Sequence, residues 1–312
     1  MDRRSLLQSA VAAVGATAIV NDAGGQMSAR AAARRPGGQQ RESASFVKSP
    51  DGTNLFFRDW GSGRHFVFLA PWGLHSGWWE YQMAHLTARG ARCVAYDRRG
   101  HGRSDETTGG YNFDVLADDL ASVVEQLDLH DVTLVGQSLG CGEMVRYLSR
   151  YSGPRVTRVV FIAPITPQIV RSPSNPQGVD SDYLEKVRAV LSADRPKAIA
   201  EAAPAFFGAP QNAVSTEMMA WWTDMLMKCS LRVLLELHKV FTVTDFSAEL
   251  SKVRLPTLII HGDNDTSTPI EFTGQKTASL IRGSRLTVYA GAAHGLPITH
   301  MDRLNRDLLE FS

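Results

Sequence analysis

The sequence predicts an α/β fold: a doubly wound, mostly parallel sheet with helices on both faces and an inserted helical lid. Three observations carry that prediction. From about residue 45 onward, short apolar runs alternate with amphipathic stretches, the pattern of parallel strands joined by crossover helices. Between residues 166 and about 250 the alternation stops, and proline punctuates helical segments rich in Met, Trp and Phe. It then resumes to the end of the chain, so the sheet is split around an insertion.

The elements follow in order. SFVKS, a turn at Pro50-Asp51-Gly52-Thr53 and NLFFRDW read as an opening β-hairpin. HFVFLA is a strand, WEYQMAHLTARG a helix closed by Gly90, and RCVAYD the next strand. FDVLADDLASVVEQLDL and LGCGEMVRYLSRY are helices on either side of the strand VTLVG, and VTRVVFIA is a strand. After the insertion come the strand opening LPTLIIHGDND, the helical IEFTGQKTASLI, the strand SRLTVYA and one closing helix, LPITHMDRLNRDLLEFS. The core therefore spans residues 41–165 and 246–312, with a helical cap over 166–245.

With 312 residues, 44% of them hydrophobic, the chain can bury a sizeable core. Its 33 basic and 32 acidic residues leave a net charge of +1, a balance that disfavours nucleic acid and anionic membrane surfaces as partners. Three scattered cysteines, Cys93, Cys141 and Cys229, suit packing rather than a disulfide framework or a zinc cluster. Homo-oligomerisation is left open.

Residues 1–40 differ in kind. Arg3-Arg4, an Ala-rich apolar stretch and Ala29-Arg30-Ala31 are the parts of an export signal, and the paired arginines resemble a twin-arginine leader. A flexible ARAAARRPGGQQRESA follows. The expectation is a bacterial protein exported to the periplasm or beyond, without stable membrane association.

Two places in the core carry chemistry. The phrase Gly136-Gln137-Ser138-Leu139-Gly140 lies between a strand and a helix, where a serine can stand exposed on a tight turn. The same turn aims the backbone N–H of Leu139 at a charge developing on substrate oxygen. A serine hydroxyl needs a histidine base, and the histidine a carboxylate, in that chain order after the serine. The strand in LPTLIIHGDND delivers Asp263 and Asp265, and the loop after LTVYA delivers His294. His300 falls inside the last helix, and His261 belongs to a strand end. The second place is VFLAPWGLHSGWW, which holds three of the six tryptophans in a glycine-containing loop whose cost packing or a ligand site must offset.

These segments, with FFRDWGSG, AYDRRGHGRSD and the lid phrases PAFFGA and TDFSAEL, resemble the α/β-hydrolase superfamily over nearly all of Phe46 to Phe311. They are most similar to its bacterial aryl-esterase branch, also called cofactor-free haloperoxidases or perhydrolases. The resemblance implies an α/β-hydrolase fold, no cofactor and no metal. It implies that the acid is the last residue of HGxxD, here Asp265, leaving Asp263 to the turn. It also implies a second oxyanion donor, the N–H of Trp72, although Ala70-Pro71 replaces the usual His-Gly of that loop. Proline lacks an N–H, but the donor required is one residue further on. Gly73 stands where efficient perhydrolases of the family carry proline, which ranks peracid formation below ester hydrolysis.

The function expected is an exported serine hydrolase of small to medium uncharged aryl, alkyl or lactone esters. Phe206, Trp221 and Trp222 of the lid, with Trp72 and Gly73, are expected to bind substrate in an apolar cleft. A perhydrolase using the same serine and hydrogen peroxide is the alternative. A binding module on an inactive scaffold conflicts with an intact Ser, Asp and His set.

Overall fold

In the computed structural model, which describes residues 45–151 and 155–312, eight strands form one sheet in the order β1-β2-β4-β3-β5-β6-β7-β8. The export signal and linker expected at residues 1–40 lie outside the described residues. The strands are β1 (Phe46–Lys48), β2 (Asn54–Gly61), β3 (Arg64–Leu69), β4 (Ala91–Tyr96), β5 (Val132–Gln137), β6 (Val156–Ile162), β7 (Thr257–Gly262) and β8 (Arg285–Tyr289). β1, β2 and β4 pair antiparallel, and every pairing from β4 to β8 is parallel. β5 and β7 are buried at every position, because a parallel sheet is covered on both faces. That is why they read as unbroken apolar runs rather than alternating ones.

A single turn of 3-10 helix (Ser76–Trp79) leads into α1 (Glu80–Thr87). The remaining core helices are α2 (Phe113–Gln126), α3 (Leu139–Arg150), α8 (Ser247–Leu250), α9 (Gly274–Leu280), α10 (Leu296–Thr299) and α11 (Met301–Phe311). They pack in two groups, α1 against α11, and α2 against α3 with α8 and α9 alongside. The closing segment is not one helix: the chain leaves helical geometry at His300, with φ −122° and ψ 33°, between α10 and α11.

Between β6 and β7 the chain folds into α4 (Ser181–Ala193), α5 (Arg195–Phe207), α6 (Thr216–Met227) and α7 (Leu231–Val243). Each starts on a side chain that accepts a first-turn N–H, the acceptors being Asp180, Asp194, Ser215 and Ser230 in turn. A buried Arg99 joins the opening hairpin to α2: it contacts Asp119 at 2.7 and 2.6 Å and Asp51 at 2.8 Å.

The parallel registers place Leu69 opposite Gly136 and Gln137 opposite Ile162, so the carboxyl ends of the strands line one edge of the sheet. Loops leaving that edge are where a doubly wound sheet builds its site.

Candidate active site

β5 ends at Gln137 and the backbone turns into α3 through Ser138, whose φ of 53° and ψ of −116° are rare for a residue with a side chain. The flanking glycines make the turn sterically allowed. A Cβ on Gly136 would lie 2.9 Å from the Gly140 carbonyl, and one on Gly140 would lie 2.6 Å from the Leu69 oxygen. The G-x-S-x-G spacing is therefore a packing requirement of this turn as well as a motif.

The loop after β8 brings His294 to the same edge, where its Nδ1 meets Asp265 Oδ2 at 2.7 Å. Asp265 follows β7 and is almost fully satisfied. Its Oδ1 accepts the N–H groups of Ser267 at 2.8 Å and Thr268 at 3.0 Å, and its Oδ2 accepts the Thr268 hydroxyl at 3.1 Å. His261 Nε2 stands 3.4 Å from Oδ2. Burial alone would push the Asp265 carboxyl up, but the charge of His294 and hydrogen bonds from both histidines hold it well below the usual carboxylate range. Asp263 by contrast is exposed and accepts the Gly291 N–H at 2.6 Å, as a turn residue does.

Ser138 and His294 line one cavity of about 410 Å³, together with Pro71, Trp72, Phe206 and Trp222. The Phe206 ring lies edge-on to the His294 imidazole at 5.4 Å. Trp72 is fixed in place: its Nε1–H donates to the Leu234 carbonyl at 3.0 Å, and its ring packs edge-on against His238 and Phe241. Among the described residues, no backbone acceptor takes the N–H of Trp72 or Leu139. The N–H of Leu139 begins α3, where helix geometry leaves donors unpaired.

Ala70-Pro71 is held from behind. Arg98 Nη2–H donates to the Ala70 carbonyl at 2.9 Å, and the guanidinium pairs with Glu143 of α3 at 2.8 Å. Burial pushes Arg98 down to about 10, still charged at neutral pH. The loop that carries Trp72 is thus tied to the helix that begins at Ser138.

Several residues at the site carry no motif. Gln137, fully buried, accepts the Trp78 Nε1–H at 2.6 Å and donates to the His294 carbonyl at 2.7 Å, joining three loops through one amide. Its only sequence signal is a polar residue ending an apolar strand. His238 lines the cavity, and Arg188 donates to its Nδ1 at 2.9 Å. Burial, reinforced by the Arg188 charge, pushes His238 down to about 4, so it is neutral at physiological pH.

Two expected substrate contacts are not at the cavity. Trp221 stacks on Trp78 at 6.1 Å and meets Tyr81 edge-on, so it is packing between lid and core. Gly73 has φ +75°, and a Cβ there would lie 2.2 Å from Leu226, so it faces the lid rather than the cavity. Cys141 is buried with its thiol donating to the Gly136 carbonyl at 3.0 Å, and burial pushes its pKa up. No group of three or more His, Cys, Asp or Glu side chains among the described residues could hold a metal ion.

A family model described as alpha/beta hydrolase fold matches residues 65–300. The non-heme chloroperoxidase CPO-A1 of Kitasatospora aureofaciens is 38% identical over 84% of this chain and 96% of its own. The bifunctional esterase/perhydrolase DCH of Acinetobacter calcoaceticus is 35% identical over 85% of this chain and 98% of its own. Among solved structures, a bromoperoxidase from Bacillus anthracis superposes with a TM-score of 0.82 at 35% identity, covering 85% of this chain and 98% of that one.

Proposed function

The chain belongs to the α/β-hydrolase family, in its branch of non-heme haloperoxidases and esterase/perhydrolases, and from that premise we propose that it is an exported serine carboxylester hydrolase. Its substrates would be small to medium uncharged esters. The observation that supports this reading best is the buried His294–Asp265 pair on the cavity that also exposes Ser138.

The chemistry follows from these positions. Asp265 accepts the Nδ1–H of His294, which leaves Nε2 as the base. As Ser138 Oγ bonds to the ester carbonyl carbon, its proton passes to Nε2. The carbonyl π electrons move to oxygen, and the N–H groups of Trp72 and Leu139 are the donors for that charge. His294 returns the proton to the leaving alkoxy oxygen as the C–O bond breaks, giving an alcohol and an acyl-serine. Water, deprotonated by the same histidine, then releases the acid and restores Ser138.

Perhydrolysis would use the same serine with hydrogen peroxide replacing water in the second half. The relative named as a bifunctional esterase/perhydrolase favours keeping this reading. The turn at Gly73 argues for ranking it second, because a proline needs φ near −65° and the backbone here has φ +75°. Comparing p-nitrophenyl acetate hydrolysis with peracetic acid formation from acetate and peroxide tests the order, and a dominant peracid rate would reverse it.

Ser138→Ala should lower kcat by about 10⁴ to 10⁶ with the fold intact, measured with a p-nitrophenyl ester. Undiminished turnover would sink the assignment. Export rests on Arg3-Arg4 and the apolar leader. Expression in a bacterial host should yield periplasmic protein that has lost about the first 30 to 40 residues and is retained in the cytoplasm when both arginines are replaced by lysine.

A further inference from the structure

A second cavity of about 350 Å³ adjoins the catalytic one inside the lid. Leu191 of α4, Ala198 and Ile199 of α5, and Leu226 of α6 line it without lining the catalytic cavity. The two share Trp72, Tyr183, Val187, Ala202 and Trp222 as lining residues, so they lie side by side. Apart from Lys186 the lining carries no charged residue. The cavity opens to solvent past Tyr183 and Val190, and apolar surface of this extent gains free energy when a ligand covers it.

We propose that this second cavity is an acyl-tail chamber, and that the protein's preferred substrates are esters of medium-chain aliphatic acids rather than acetates. The inference rests on the reading that Ser138 is the nucleophile. Direction follows from the chemistry: His294 must protonate the leaving oxygen, so the alcohol portion lies on the side of His294 and Phe206. The second cavity touches neither of them, nor Ser138, and opens beside Trp72, whose N–H serves the carbonyl oxygen of the acyl group. The acyl chain therefore leads toward it.

The partition between the cavities has one fixed wall and one that lacks a polar anchor. Trp72 is pinned by its hydrogen bond to Leu234, whereas the buried Nε1–H of Trp222 has no acceptor among the described residues and its ring is placed by packing on Phe206 at 4.6 Å. At the outer rim Tyr183 and Val190 are 61% and 55% exposed, apolar surface that a longer chain would cover.

The test is a chain-length series on the full mature enzyme: p-nitrophenyl esters of C2 to C12 acids, with alkyl acetates of matched alcohols as the second arm. The expected result is kcat/KM rising from C2 to about C8, by up to about fourfold per methylene, in the acyl series alone. Ala198→Trp, which fills the chamber, should lower the octanoate-to-acetate ratio at least tenfold. Leu191→Ala should move the optimum to longer acids, and it decides the matter if Ala198→Trp does not fold. Turnover that is highest on acetate, with a ratio that neither variant moves, overturns the chamber while leaving Ser138 hydrolysis standing. A response confined to the alkyl acetates overturns the acyl assignment. Absence of turnover on every ester of both series defeats the reading of Ser138 itself, and the chamber with it.

Discussion

At Asp265 burial and charge pull in opposite directions, and the charge of His294 with hydrogen bonds from His261 and His294 wins. A carboxyl held ionised in a dry site keeps the Nδ1–H of His294 turned toward it. Asp265→Asn should preserve the fold and lower kcat by about 10⁴, as a wrong histidine tautomer does elsewhere. It also has a consequence for acid stability. The folded pKa lies below the unfolded value of about 3.9, so the carboxylate's contribution is complete above that pH and is lost as pH falls further, through the folded value. Urea unfolding below pH 4 should therefore be less steeply pH-dependent in Asp265→Asn than in the wild type. Gln137 acts at the same scale through position rather than proton transfer. Gln137→Leu leaves the His294 carbonyl and the Trp78 indole without partners, which should cost roughly 2 to 4 kcal/mol and lower kcat more than it raises KM. Full kcat in Gln137→Met, which fills a similar volume but donates nothing to the His294 carbonyl, would count against the histidine contact as the reason. The places of Ser138 and His294 were legible in the sequence because a glycine-flanked turn and a loop after a late strand mark them. Gln137 and His238 were not, since a single amide or imidazole has no spacing pattern and matters only through what the fold brings to it.

At the level of elements, the loop from Ala70 to Leu74 and helix α3 form one unit through Arg98. The pair with Glu143 is buried, and burial pushes the Glu143 carboxyl well above the usual carboxylate range, so removing Arg98 leaves a buried polar group without its partner. Arg98→Met should destabilise the protein by about 3 to 5 kcal/mol in denaturant unfolding. Adding Glu143→Leu should recover most of that stability but not kcat, because the Ala70 carbonyl remains unheld. Full recovery of both would show that Arg98 has no part in placing the Trp72 loop. The same loop shows the limit of reading from composition. Gly73 was expected at the substrate, yet its φ of +75° turns it toward Leu226 and Leu234. Trp221 and Trp222 were expected together, but consecutive helical residues point about 100° apart, and of the two only Trp222 lines the cavity. The density of lid aromatics was visible in the sequence. The rotation of α6 that divides them between packing and site was not, because both faces of a lid helix are apolar. The break of the closing helix at His300 was hidden for a similar reason, as no proline or glycine stands at the break itself.

Over the whole molecule, the sheet was the most legible feature, since strands buried on both faces leave apolar runs that nothing else in the chain imitates. The antiparallel β1–β2 end shows itself through a Pro-Asp-Gly turn, and the insertion through loss of alternation. The lid's cavities are a product of four helices meeting, and such meetings leave no local trace in sequence. All three scales converge on Ser138 Oγ, held on a turn of positive φ, as the proposed carrier of the acyl group. The most direct measurement is covalent labelling by diethyl p-nitrophenyl phosphate followed by peptide mass spectrometry. A serine hydrolase of this geometry gives one phosphoryl adduct per chain, on the peptide containing Ser138, with loss of esterase activity in step with labelling. Complete inactivation with the adduct elsewhere, or full activity retained after Ser138 is labelled, would contradict it.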